Sequence, residues 1–114
     1  LKKWYEQLSP SAHADIFRLI SVPKSPAVRL LRAGQAAERM MLAMEGEREL
    51  PPILQRQFLR HPKARDGWDA MTPVQRRGHL LGIFCYKSPE SREKRVRKAV
   101  EDALKYAGFK SADI

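Results

Sequence analysis

The densest chemistry in this 114-residue chain is cationic. Arg92, Lys94, Arg95, Arg97 and Lys98 crowd one short stretch, flanked by Arg76, Arg77 and Lys87. Lys and Arg number 22 against 13 Asp and Glu, a formal net charge of +9. An excess of this kind raises attraction to polyanions but says nothing about fold. On a helix, Lys94, Arg97 and Lys98 recur at i, i+3 and i+4 and share one face. A short turn followed by a basic helix is also the geometry of helical DNA readers. Ser88, Ser91, Arg92 and Arg95 would stand at the start of that helix, where phosphates are contacted. The opposing arrangement is a solvated face with internal pairs, since Glu101 follows Arg97 by four residues and Asp102 follows Lys98 by four. The candidate face for an anionic partner is Arg76, Arg77, Lys87, Lys94, Arg97 and Lys98. The expected partner is a protein or a polyanion, nucleic acid included.

Catalytic signals are weak by comparison. His13, His61 and His79 lie in separate segments, without the i, i+4 spacing that sets two imidazoles on one helical face. Cys85 sits between Phe84 and Tyr86 with no motif tying it to a base, which favours a buried, inert thiol. A single cysteine excludes an intramolecular disulfide and a cysteine-rich zinc site. There is no Gly-rich phosphate loop, and Gly78 and Gly82, four apart, suggest close helix packing. The expectation is a non-enzymatic chain with no cofactor, no metal and no catalytic residue.

These residues are positioned by elements that occur twice. At an offset of 63, Ser9-Pro10 lies over Thr72-Pro73, Lys24-Ser25-Pro26 over Lys87-Ser88-Pro89, Ile20 over Ile83, and Glu38 over Glu101. Each hydroxyl–proline pair is a helix start, with the hydroxyl at N-cap and proline at the first helical position. Gln75 completes a capping box with Thr72. Each copy therefore reads as a helix of about twelve residues, a Lys-Ser turn and a longer helix. Ala33, Ala36, Ala37, Met40, Met41 and Met44 form an apolar stripe on the first long helix. Val96, Ala99, Val100, Ala103, Leu104 and Ala107 repeat it on the second. Gly46 and Gly108 are the expected C-terminal stops.

Proline breaks at Leu50-Pro51-Pro52 and His61-Pro62 frame short helices between the copies. The fold class is all-α, about seven helices, with tandem helical hairpins packed as one compact domain. It divides into a first repeat at 1–46, a connecting segment at 47–63 and a second repeat at 64–114. A chain of this size buries roughly 65% of its unfolded surface, enough for one modest core. No apolar run approaches the ~20 residues that span a bilayer. The expected location is cytoplasmic, or periplasmic if a signal peptide precedes Leu1.

Two inequalities between the copies sharpen the candidates. Arg29 and Arg32 recur as Arg92 and Arg95, which suits a structural duty such as capping a neighbouring helix. Lys94, Arg97 and Lys98 replace Leu31, Gly34 and Gln35, so their charge is particular to the second copy. Leu30, Leu31 and Phe17 make the first copy greasier, for central packing or for a partner surface.

The second half also resembles a known family. Leu50-Pro51-Pro52-Ile53-Leu54, His61-Pro62-Lys63-Ala64-Arg65, Trp68-Asp69-Ala70-Met71-Thr72-Pro73, Arg76-Arg77, Ile83, Lys87-Ser88-Pro89-Glu90-Ser91-Arg92, Arg95-Val96 and Lys98-Ala99-Val100 are similar to the bacteriocin-protection, YdeI/OmpD-associated family. The resemblance runs from residue 50 to about residue 105. The first half repeats it more weakly from Tyr5. Phe84-Cys85-Tyr86-Lys87 departs from a more polar turn, and Ser91 stands where threonine is usual. The resemblance implies a helical binding domain linked to antimicrobial-peptide or stress protection in a bacterium. It carries over no catalytic residue.

Overall fold

A computed structural model of the chain describes residues 2–85 and 88–108. It is all-α. Among the described residues seven helices occur and no strand: α1 (Lys2–Glu6), α2 (Pro10–Ser21), α3 (Pro26–Arg48), α4 (Pro52–Arg60), α5 (Pro62–Ala70), α6 (Pro73–Cys85) and α7 (Pro89–Tyr106). From α2 onward each helix opens on a proline, whose fixed φ suits the first turn and whose missing N–H would have had no partner there.

The caps follow the sequence with one exception. Ser9 Oγ accepts from the Ala12 amide at 3.1 Å, and Ser88 Oγ from the Ser91 amide at 3.2 Å. Thr72 and Gln75 form the reciprocal box: Gln75 N donates to Thr72 Oγ1 at 3.3 Å, and Thr72 N donates to Gln75 Oε1 at 3.0 Å. Ser25 makes no side-chain cap bond at the start of α3.

The core forms where α7 crosses α5 and where α3 packs along α6. α7 contributes Val96, Ala99, Val100, Ala103 and Leu104, all buried. Trp68 on α5 is buried with its ring 5.8 Å from that of Phe58 on α4. A ring of that size removes ~150–250 Å² from water, worth about 4–6 kcal/mol before entropy costs. Leu54, Leu80 and Ile83 are the largest fully buried side chains. α5 and α7 approach closely because Gly67 faces the Ala103 carbonyl group. A Cβ at Gly67 would lie 2.6 Å from the Ala103 carbonyl carbon.

Three expectations need correction. Gly46 does not end α3, which continues to Arg48. It is buried inside the helix, where a Cβ would meet Leu80 Cδ2 at 3.1 Å. The buried stripe of α3 is accordingly Ala36, Met40, Ala43 and Gly46, while Met41 is exposed. The stop at Gly108 does form, at φ +88, a conformation open to glycine at no steric cost.

Gly78 does not serve close packing either. A Cβ there would meet nothing within 4 Å. Of the two uses open to the greasy first copy, exposure wins over central packing: Leu30 is 77% exposed, Phe17 68% and Leu31 60%.

The helix starts keep the 63-residue spacing, Pro10 to Pro73 and Pro26 to Pro89. The contact within each hairpin keeps it as well, α2 on α3 and α6 on α7, but the packing between the hairpins does not. α3 lies along α6, but α7 develops no comparable contact with α2, because α7 is drawn onto α5. α1, five residues long, offers α3 no equivalent partner. An open groove remains between α2 and the α6–α7 pair.

Candidate partner-binding surface

The 3.6-residue period divides α7 into two faces. With Val96, Ala99, Val100, Ala103 and Leu104 turned into the core, Lys94, Arg97, Lys98 and Glu101 are turned out. Ser91, Lys94, Arg95, Arg97, Lys98 and Glu101 together line one shallow depression. This strip gathers three of the six cations assigned to an anionic partner.

Arg76 and Arg77 stand elsewhere. Arg76 donates from Nη1 to the carbonyls of Trp68 at 3.3 Å and Asp69 at 3.4 Å, and to that of Met71. It satisfies the open end of α5, where final carbonyls lack helical partners. Arg77 is 14% exposed and grips Glu47, with Nε at 2.7 Å from Oε2 and Nη2 at 2.9 Å from Oε1. Its Nη1 donates to Gln7 Oε1 at 2.9 Å, and the guanidinium stacks 5.6 Å from the Trp4 ring. Trp4 Nε1 donates to Glu47 Oε2 at 2.9 Å. Both arginines therefore tie the fold together. Lys87 lies outside the described residues.

The four arginines assigned structural duties split by position. Arg29 Nε donates to the Pro23 carbonyl at 2.6 Å and so closes the turn from α2 to α3. Arg92 and Arg95 both interact within the fold. The Arg95 stem runs over Gly82, with Cδ 3.5 Å from where a Cβ would be. Arg32 and Arg95 both line the groove beside α2.

That groove has a volume of about 910 Å³. Its apolar lining comes from Ile16 and Leu19 on α2, Leu81 on α6, and Met71. Arg95 and Lys98 belong both to the groove and to the basic strip, so the two surfaces are continuous.

His79 also lines the groove. It is largely buried: Nε2 lies 3.2 Å from Asp102 Oδ2, and its ring lies 6.1 Å from that of Trp68. Burial pushes its pKa below the ordinary value. Asp102 opposes this and Lys98 and Arg95 reinforce it, so the pair is a neutral imidazole against a carboxylate near neutral pH. Asp102 is thus held by His79, not by Lys98.

Cys85 is half-buried, and burial raises its thiol above the ordinary range, which suppresses thiolate chemistry. His13 Nε2 lies 2.6 Å from the Tyr5 carbonyl oxygen. Among the described residues no three His, Cys, Asp or Glu side chains converge on a metal-sized site. Among them, too, no helix is long and apolar enough to cross a membrane.

Two features escaped sequence reasoning. The Trp4–Glu47–Arg77 cluster joins residues 43 and 30 positions apart, which no local spacing reveals. The groove depends on where α7 settles. The recurrence of Arg32 as Arg95 was its one legible trace.

Comparison with known families matches residues 47–105, just over half the chain, to the family described as bacteriocin-protection, YdeI or OmpD-associated. The chain belongs to that family. The matched span runs from the last turn of α3 to the last turn of α7 and contains the basic strip, Glu47 and Arg77. It leaves α1, α2 and most of α3 outside, so one wall of the groove is not part of the shared family region. No curated protein and no solved structure matches the chain.

Proposed function

We propose that this family member is a non-enzymatic binding domain that contacts an acidic partner protein through α7, in a setting of antimicrobial-peptide or stress protection. The observation that carries the reading is the outward strip of Lys94, Arg97 and Lys98, which the first copy lacks. His13, bonded to a backbone carbonyl, and Cys85, a suppressed thiol, support the non-enzymatic part. The charge also bears on mechanism. A +9 chain repels a cationic peptide, so protection in this reading runs through an anionic partner and not through capture of such a peptide.

Fluorescence anisotropy with a labelled Glu-rich peptide tests this. Binding should weaken steeply between about 50 and about 200 mM salt. Changing Lys94, Arg97 and Lys98 together to Ala should lower affinity by roughly tenfold, at about 0.5 kcal/mol for each rim charge. The helical circular dichroism should stay unchanged. No binding at low salt, or a triple variant that binds like the parent, would overturn the reading. A marked preference for a short DNA duplex at matched salt would move the assignment to nucleic acid.

A further inference from the structure

The two long walls of the groove are the same helical face used twice. Ala12, Ile16 and Leu19 on α2 lie 63 residues before Gln75, His79 and Gly82 on α6, and all six line it. Arg32 and Arg95 line it at the same offset. The walls are unequal in bulk, because Gly78 and Gly82 remove side chains from the α6 side. The result is a trough that runs beside a helix of 12 residues, about 18 Å long at 1.5 Å per residue.

We propose that this groove docks one amphipathic helix of an acidic partner protein. The inference rests on the reading of the chain as a binding domain, and it names the partner's shape. A long apolar trough suits a helix that presents residues at i, i+3, i+4 and i+7. Leu19, Val22, Val74 and Tyr106 line the groove and keep exposed surface, and they would receive that stripe.

Charge decides what flanks it. Arg18, Arg32, Arg95, Lys98 and Lys105 line the groove against two carboxylates, Asp15 and Asp102. Both carboxylates are already engaged, Asp15 by Arg18 and Asp102 by His79. The Arg18–Asp15 pair cancels within itself, and the remaining cations still outnumber Asp102, so the rim offers net positive charge to Glu or Asp on the docked helix, and the strip at Lys94 and Arg97 extends it. A second copy of this chain fits poorly. Among its exposed apolar residues, Phe17, Val22, Leu30 and Leu31 stand among Arg18, Lys24, Arg29 and Arg32, and would bring like charge to the rim.

The test titrates the whole 114-residue chain into a labelled amphipathic peptide carrying a Leu stripe flanked by Glu, and into a scrambled peptide of equal composition. The striped peptide should bind at least tenfold more tightly. Gly78→Leu builds bulk into the trough from a position where a Cβ meets nothing within 4 Å. It should cost at least tenfold in affinity for the striped peptide while the melting temperature holds or rises. Arg32→Gln should weaken the striped peptide severalfold. Gly78→Leu should leave the Glu-rich peptide of the strip assay unaffected, which separates failure of the groove from failure of the strip. Four results would overturn the proposal: equal binding of the scrambled peptide, parent-like binding by Gly78→Leu, displacement of the striped peptide by a long-chain fatty acid of equal affinity, or binding that emerges only when the chain is ended at Gly108.

Discussion

Gly67→Ala should be among the most damaging single substitutions in this protein, lowering stability by about 3 kcal/mol or more. The added methyl group would be driven into the Ala103 backbone carbonyl. Backbone cannot rotate aside as a long side chain can, so α5 must separate from α7. That pair is the most extensive helix–helix contact in the fold, and it holds Trp68 in the core. A domain of this size has a total stability of about 5–15 kcal/mol, so the change removes a large fraction of it. Urea unfolding should show a lower midpoint, and thermal unfolding a fall of roughly 10–20 °C. Gly78→Ala, one helix further on and open to solvent, is the matched control. It should stabilise by up to about 1 kcal/mol through helix propensity alone.

The second large effect centres on Glu47. Its carboxylate takes two hydrogen bonds from Arg77 and one from Trp4 while only 25% exposed. Glu47→Ala leaves the Arg77 guanidinium desolvated without its counter-ion, at a cost of about 2 kcal/mol, reduced from the fully buried case by residual solvent. Arg77→Leu in the Glu47→Ala background should recover part of that loss, because it removes the stranded charge.

The pH dependence follows from the same contacts. The Arg77 hydrogen bond, aided by that of Trp4 and opposed by burial, holds the Glu47 carboxyl below its ordinary pKa of 4.5. A depressed folded-state pKa means the unfolded chain binds the proton first. The stabilisation is then complete above the unfolded value and disappears as pH falls through the folded one. The stability gap between the parent and Glu47→Gln, measured by urea unfolding, should be widest near neutral pH and should narrow as pH falls below the ordinary value of 4.5. A gap that stays constant across that range would show that the ionised carboxylate contributes nothing.

How far the sequence foretold these features depended on how local each signal was. Helix starts were legible because cap and proline are adjacent: Ser9-Pro10, Thr72-Pro73 and Ser88-Pro89 each specify an entry within two residues. The inward face of α7 was legible because its period is carried by Val, Ala and Leu without interruption. Gly46 misled because glycine ends helices and also admits close packing. Only the position of Leu80 and Phe84, on another helix, decides between the two.

The basic cluster was visible as composition, but its division was not. Arg76 and Arg77 differ from Lys94 and Arg97 in nothing local. They differ because the end of α5 and Glu47 lie against α6, whereas solvent lies against the outer face of α7. The exposure of Leu30 and Leu31 likewise follows from tertiary placement and not from the local sequence. The groove is the extreme case. It arises from a contact that α7 makes with α5 instead of α2, and pairing choices of that kind are settled by competition among whole helices.

The central claim is that an acidic partner is held by α7 and the adjoining groove, and amide chemical-shift mapping tests it most directly. The ¹⁵N-labelled chain is titrated with the striped acidic peptide at low salt. The account predicts the largest shifts at Ser91, Lys94, Arg97 and Lys98 on α7, and at Ile16, Gly78 and Gly82 across the groove. Shifts confined to the exposed apolar start of α3, at Val28, Leu30 and Leu31, with α7 silent, would contradict it.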